Sequence, residues 1–138
     1  MPKPKNRHHN HKTGNHLRLL TINGQSIRIQ KHHIDILVAT TTPDIIIGTE
    51  TWLHSDIAYS EFIDPNLGLN VYRNDRASDA HRGVLIAVKK NIEVTDIKKS
   101  KNVELISGTI QLPKGKQMVI AAYYRQPYRT DEAYLAET

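Results

Sequence analysis

Apolar and polar positions along the chain fall into two textures. LRLLTING (Leu17 to Gly24) alternates Leu17, Leu19 and Thr21 with Arg18, Leu20 and Ile22, then reaches Asn-Gly, a turn signal. It predicts a strand. QSIRIQKHHIDILVAT (Gln25 to Thr40) predicts a helix: Ile27, Ile34, Leu37, Val38 and the adjoining Thr41 recur near one face, while Arg28, Lys31, His32 and Asp35 fall elsewhere. Pro43 stops it. DIIIGTE (Asp44 to Glu50) is a short continuous apolar run, the pattern of a strand buried on both faces. Strand, helix, strand in that order predicts parallel pairing of the two strands. Thr51 to Asn70 is irregular and predicts a long loop with a helical turn around Ile57–Phe62. From Val71 the texture becomes β-type. VYRNDR, GVLIAVKK, IEVTDI, VELISGTIQL and KQMVIAAYY are separated by short polar punctuation, which predicts antiparallel strands joined by turns. Thr130 to Thr138 reads as a helix start, with Thr130 as N-cap and Asp131 and Glu132 in the first turn.

Composition changes this picture mainly at one end. Residues 1–16 contain no acid and no aliphatic side chain after Met1, and Lys3, Lys5, Arg7 and Lys12 supply four of the five net positive charges. From Leu17 onward, 15 basic residues face 14 acidic ones. The expectation is a disordered basic tail over 1–16 and a nearly neutral single domain over 17–138. The chain has no cysteine, hence no disulfide framework and no thiolate metal site. No apolar run approaches the ~18 residues that a membrane span needs, and no signal-type segment follows the basic start. These features predict a soluble, intracellular protein with no membrane partner.

Glu50 is the first candidate for chemistry. A carboxylate that closes a doubly buried strand sits where ligands gather in α/β sheets, and a hard cation such as Mg²⁺ wants one or two carboxylates plus waters. Taken alone it could equally be a surface glutamate or a salt-bridge partner. Asn23 ends the neighbouring strand; its amide could orient a phosphate, or Asn-Gly could be only a turn. Tyr123, Tyr124 and Arg125 close the last strand. A phenol and a guanidinium suit phosphate recognition, and they equally suit a core edge with a solvated arginine. The histidines point to no metal cage. His8, His9 and His11 lie in the tail, His32 and His33 are adjacent on a helix and diverge, and His54 and His81 are isolated.

Together, LRLLTINGQSI, PDIIIGTETWL, VYRNDR, GVLIAVKK and AAYYRQP, in that order from Leu17 to Pro127, resemble the apurinic-endonuclease-like domain of non-LTR (LINE-type) retrotransposons, within the endonuclease/exonuclease/phosphatase superfamily. The resemblance implies an α/β fold: the N-terminal half of a four-layered α/β sandwich, with an incomplete second sheet. It implies DNA as partner, Mg²⁺ (or Mn²⁺) as cofactor, and phosphodiester hydrolysis that nicks target DNA to prime reverse transcription, hence a nuclear site of action. By motif it assigns Asn23 to the active-site asparagine, Glu50 to the metal ligand and Tyr124 to the tyrosine on the scissile phosphate.

Two departures temper the activity expected. His81 and Arg82 stand where relatives usually have glycines before GVLIAV. The family's Gly-Asp-x-Asn and Ser-Asp-His motifs, which supply the aspartate and histidine of catalysis, are absent. Losing a general base alone costs ~10²–10⁴-fold. The expectation is a truncated endonuclease domain of weak or no activity, with an exposed apolar sheet face through which copies could associate. The competing readings are a non-catalytic nucleic-acid binder that uses the basic tail, and a phosphatase of the same superfamily.

Overall fold

A computed structural model describes residues 16–53, 56–75 and 83–125. The expected tail up to residue 15, His54, the His81-Arg82 pair and the helix start at 130–138 lie outside the described residues. Among the described residues, seven strands and one α-helix follow in order: β1 (Leu19–Asn23), α1 (Lys31–Thr41), β2 (Ile45–Thr49), β3 (Leu69–Asn74), β4 (Val84–Lys89), β5 (Val94–Lys99), β6 (Glu104–Gln111) and β7 (Gln117–Tyr124). The strands form two sheets. The first has the order β1-β2-β4-β3, and the second β5-β6-β7.

The expected parallel pair is present, with Leu19 opposite Ile45 and Asn23 opposite Thr49. β2–β4, β3–β4, β5–β6 and β6–β7 are antiparallel. The first sheet is therefore mixed, and the five β-type runs after residue 70 divide between the two sheets.

Why β2 and β4 are apolar throughout follows from the layering. Each is covered on both sides. Ile46, Leu85 and Ala87 meet Ile34 and Val38 of α1 together with Leu53, Ile57, Phe62 and Ile63 of the loop. Ile45, Val84, Ile86 and Val88 point the other way, onto Ile106, Ile110, Ile120 and Ala122 of the second sheet. Alternating side chains of one strand thus feed two separate cores. The second sheet packs its inner face on the first, and on the outer face of β7 Val119 and Tyr123 are 70% and 38% exposed.

The helix is shorter than its sequence pattern. Gln25 to Gln30 are not helical. Gln25 and Ser26 adopt left-handed backbone angles (φ 40° and 73°). The Ser26 and Ile27 amides donate to the carbonyls of Glu50 and Thr51. Bonding to the end of β2 outweighs local helix preference and sinks Ile27 into the core. The predicted apolar face also needs correction. Ile34 and Val38 are buried, but Leu37 is 40% exposed. The stop is as expected: Thr42 takes a left-handed C-cap and its amide bonds Val38 O, just before Pro43.

The irregular 51–68 stretch contains 3₁₀ turns at Tyr59–Glu61 and Pro65–Leu67. Arg73 of β3 holds it in place. Its guanidinium donates to Ile57 O, pairs with Asp75 at 2.6 Å and lies over the Phe62 ring.

Gly83, immediately before β4, links the two sheets. Its amide donates to Glu104 Oε1 at 2.8 Å, and its carbonyl accepts from Thr51 N at 3.2 Å. Its φ is +118°, and a Cβ there would collide with Thr51 Oγ1. Gly115 also has positive φ (+73°) but faces open space. Gly83→Ala should therefore destabilise by several kcal/mol, against about 1 kcal/mol for Gly115→Ala, because only the first adds a steric clash to backbone strain. Glu104→Ala should cost about 1–3 kcal/mol by orphaning a buried amide. Urea unfolding of the three variants checks the ranking.

Candidate functional site

The carboxyl ends of β1 and β2 lie side by side, because parallel strands finish at the same end of a sheet. Asn23 is exposed at the end of β1, and Glu50 follows Thr49 at the end of β2. Antiparallel pairing brings the start of β4 (Val84) and the end of β3 (Asn74) to this same rim. The second sheet contributes from across the layer. The Gly83–Glu104 bond fixes the start of β6 here, and Glu104 is paired with Tyr124 at the end of β7. The structure thus gathers Asn23, Glu50 and Tyr124, the three site residues expected from sequence, on one rim of the sandwich. Their places come from three strands of two sheets.

The register of β7 separates the two tyrosines. Ile120, Ala122 and Tyr124 face the inner core, whereas Tyr123 points outward. Tyr124 is half-buried at the rim, and Arg125, the next residue, is exposed. Glu50 is half-buried, so part of its surface stays open to solvent.

A backbone ladder braces the segment that carries Glu50. Gly24 N donates to Thr49 O at 2.8 Å, Ser26 N to Glu50 O at 3.2 Å and Ile27 N to Thr51 O at 3.1 Å. Thr51 N continues to Gly83 O, and Gly83 N to Glu104. Four non-glycine residues in these loops hold left-handed backbone: Gln25, Ser26, Glu50 (φ 51°) and Trp52 (φ 57°). Such conformations persist only where surrounding bonds over-determine them, and they cluster at functional sites. Thr51 is fully buried, and its Oγ1 has no hydrogen-bond partner among the described residues. No group of three or more His, Cys, Asp or Glu side chains converges among the described residues. The oxygen donors at the rim include the Glu50 carboxylate and the Asn23 amide, and one carboxylate with retained waters suits a Mg²⁺-type ion. His32 and His33, 6.2 Å apart by ring centroids, lie on the exposed surface of α1 and are not part of the rim.

Sequence reasoning missed Glu104 and Asn74. A signal for Glu104 was present. It shares the alternating register of Ile106 and Ile110, so a carboxylate stands at a core-facing position, and such a group needs a partner. Asn74 donates from Nδ2 to Ser100 O (2.8 Å) and Leu105 O (2.9 Å), a cross-sheet tie that no local pattern announces. A cavity of about 450 Å³ opens at the opposite end of the sandwich, beside Arg18, Asp44, Lys89 and Leu112. It is remote from Glu50 and has no share in this chemistry.

No protein-family model and no curated protein matches the sequence. Solved structures do match. The endonuclease domain of TRAS1, a telomere-specific non-LTR retrotransposon, aligns with a TM-score of 0.61 at 18% identity, covering 88% of this chain and 50% of that one. An AP endonuclease from Archaeoglobus fulgidus aligns at 0.63 and 24% identity, over 88% and 47%. TDP2 from C. elegans aligns at 0.56 and 16%, over 84% and 36%. The chain spans about half the length of the first two. No helix of the described residues is long and apolar enough to cross a membrane. In fold, the chain shares with these structures an α/β arrangement of two face-to-face sheets with α1 outside the first.

Proposed function

We propose that the chain is the Glu50-bearing part of a DNA phosphodiester endonuclease of the retrotransposon type. The supporting observation is the single rim on which Asn23, Glu50 and Tyr124 meet at the ends of β1, β2 and β7. Fold likeness to a retrotransposon endonuclease domain and to an AP endonuclease agrees with it. Work on chromosomal DNA would place the protein in the nucleus.

Each side chain has a task that its chemistry suits. A phosphodiester is anionic and repels nucleophiles. Glu50 would hold a Mg²⁺ (or Mn²⁺) ion with Asn23 beside it. When bound, that ion supplies positive charge against the phosphate oxygens and the leaving alkoxide. Tyr124 would donate its phenolic hydrogen to a phosphate oxygen, and the Asn23 amide would donate to another or orient the attacking water. The half-buried setting of Glu50 and Tyr124 strengthens these bonds relative to open water. The braced backbone fixes the Cα from which the Glu50 side chain projects.

The reading is tested by nicking of supercoiled plasmid in Mg²⁺. Slow conversion to open circles is expected from the chain. Glu50→Ala should abolish it, and Tyr124→Phe should slow it about 10²-fold, the usual cost of one transition-state donor. Equal nicking by the chain and Glu50→Ala, both folded by circular dichroism, would overturn the reading.

A further inference from the structure

Charge is unevenly divided between the two halves of the described structure. Residues 16–75 carry four Lys or Arg against seven acids, a net of −3; residues 83–125 carry eight against three, a net of +5. Within the latter, residues 94–125, which carry the second sheet, hold six Lys or Arg against two acids, a net of +4, and some of that charge stands at the rim that holds Glu50. Lys99 ends β5, and Lys101 lies in the β5–β6 turn; both are exposed. Nearby Lys98 has Asp96 at 3.6 Å, but both side chains are more than half exposed, so that pair neutralises little.

The turn is built rather than loose. Ser100 Oγ accepts the amides of Asn102 and Val103, each at 3.1 Å, and Ser100 N donates to Leu105 O at 3.1 Å. Asn74 then clamps it from the other sheet by donating to both Ser100 O and Leu105 O. Asn74 is opposite Val84, and Val84 is opposite Thr49, the residue before Glu50. The lysines are thus held at a fixed offset from the candidate site. β3 lies two strand spacings from β2, about 10 Å, and the turn that Asn74 clamps belongs to the second sheet, a further layer away.

We propose that this clamped turn, through Lys99 and Lys101, grips the DNA phosphate backbone at a second point, away from the bond at Glu50. The proposal rests on the endonuclease reading and extends it to a second contact. It accounts for the cross-sheet Asn74 clamp, since two phosphate contacts fix the register of a strand only if the distance between them is fixed. Lysines on an edge strand such as β5 also discourage edge-to-edge pairing. That role predicts aggregation when they are neutralised, and no change in the salt dependence of DNA binding.

Binding of a fluorescent duplex oligonucleotide by the full 138-residue chain, in EDTA so that no cleavage intervenes, separates these cases. The Lys99→Ala/Lys101→Ala variant is compared with Lys114→Ala/Lys116→Ala, which removes the same charge around the Pro113–Gly115 turn at the opposite end of the sheet. Expected for the first variant is a loss of about tenfold or more in affinity near 0.1 M salt, with the slope of log K against log salt shallower by about two; the second should change neither. Equal losses from both variants, or none from the first, would overturn the proposal and leave the endonuclease reading standing. Absence of DNA binding by the unmutated chain at low salt would overturn both.

Discussion

Gly83 carries two of the hydrogen bonds that decide where the rest of the rim sits. Its amide reaches across the sandwich to a carboxylate on β6, and its carbonyl holds the strand-end loop after Glu50. A buried carboxylate that accepts a backbone N–H is satisfied, and so is the amide, in a place where neither could reach water. Remove the bond and the two sheets keep their apolar contact and the Asn74 tie but lose one of the two polar bridges that fix their offset at this end. Hydrophobic burial is non-directional and sets which faces meet. The polar bridges at Gly83–Glu104 and Asn74–Ser100 set the register between sheets, and register is what brings Tyr124 to the same rim as Glu50.

The candidate site is accordingly a property of junctions. β1 and β2 could deliver Asn23 and Glu50 to one end by parallel pairing alone. Tyr124 arrives from the other sheet and depends on the bridge. The left-handed residues Gln25, Ser26, Glu50 and Trp52 show what the junction costs in backbone conformation. Their strain is offset by the ladder from Gly24 to Gly83, and it keeps Glu50 from relaxing into an ordinary extended strand end.

Much of this was legible in the sequence. The isoleucine run of β2 announced a strand with two covered faces, and the β-type runs with polar punctuation located β4, β6 and β7. The resemblance to retrotransposon endonucleases pointed to Asn23, Glu50 and Tyr124, where the residues alone left a turn, a surface glutamate and a core edge open. What stayed hidden was non-local. The start of α1 was misplaced because the Ser26 and Ile27 amides find partners some 24 residues away, at Glu50 and Thr51, and helical periodicity carries no record of that competition. Leu37 matched the apolar face in spacing but turned outward, since the surface that covers α1 ends at Ile34 and Val38. The Asn74 clamp joins residues in different sheets, so no window of sequence contains both partners.

The central claim is that one rim, built from the ends of β1, β2 and β7, forms a single divalent-ion site around Glu50. Paramagnetic broadening of amide NMR signals by titrated Mn²⁺ tests it most directly. Broadening centred on Asn23, Thr49–Thr51 and Tyr124, and abolished by Glu50→Ala, is the expected result. Broadening centred instead on the histidine-bearing N-terminal segment or on the Asp44 end of the sandwich, with the Glu50 region sharp, would contradict the account.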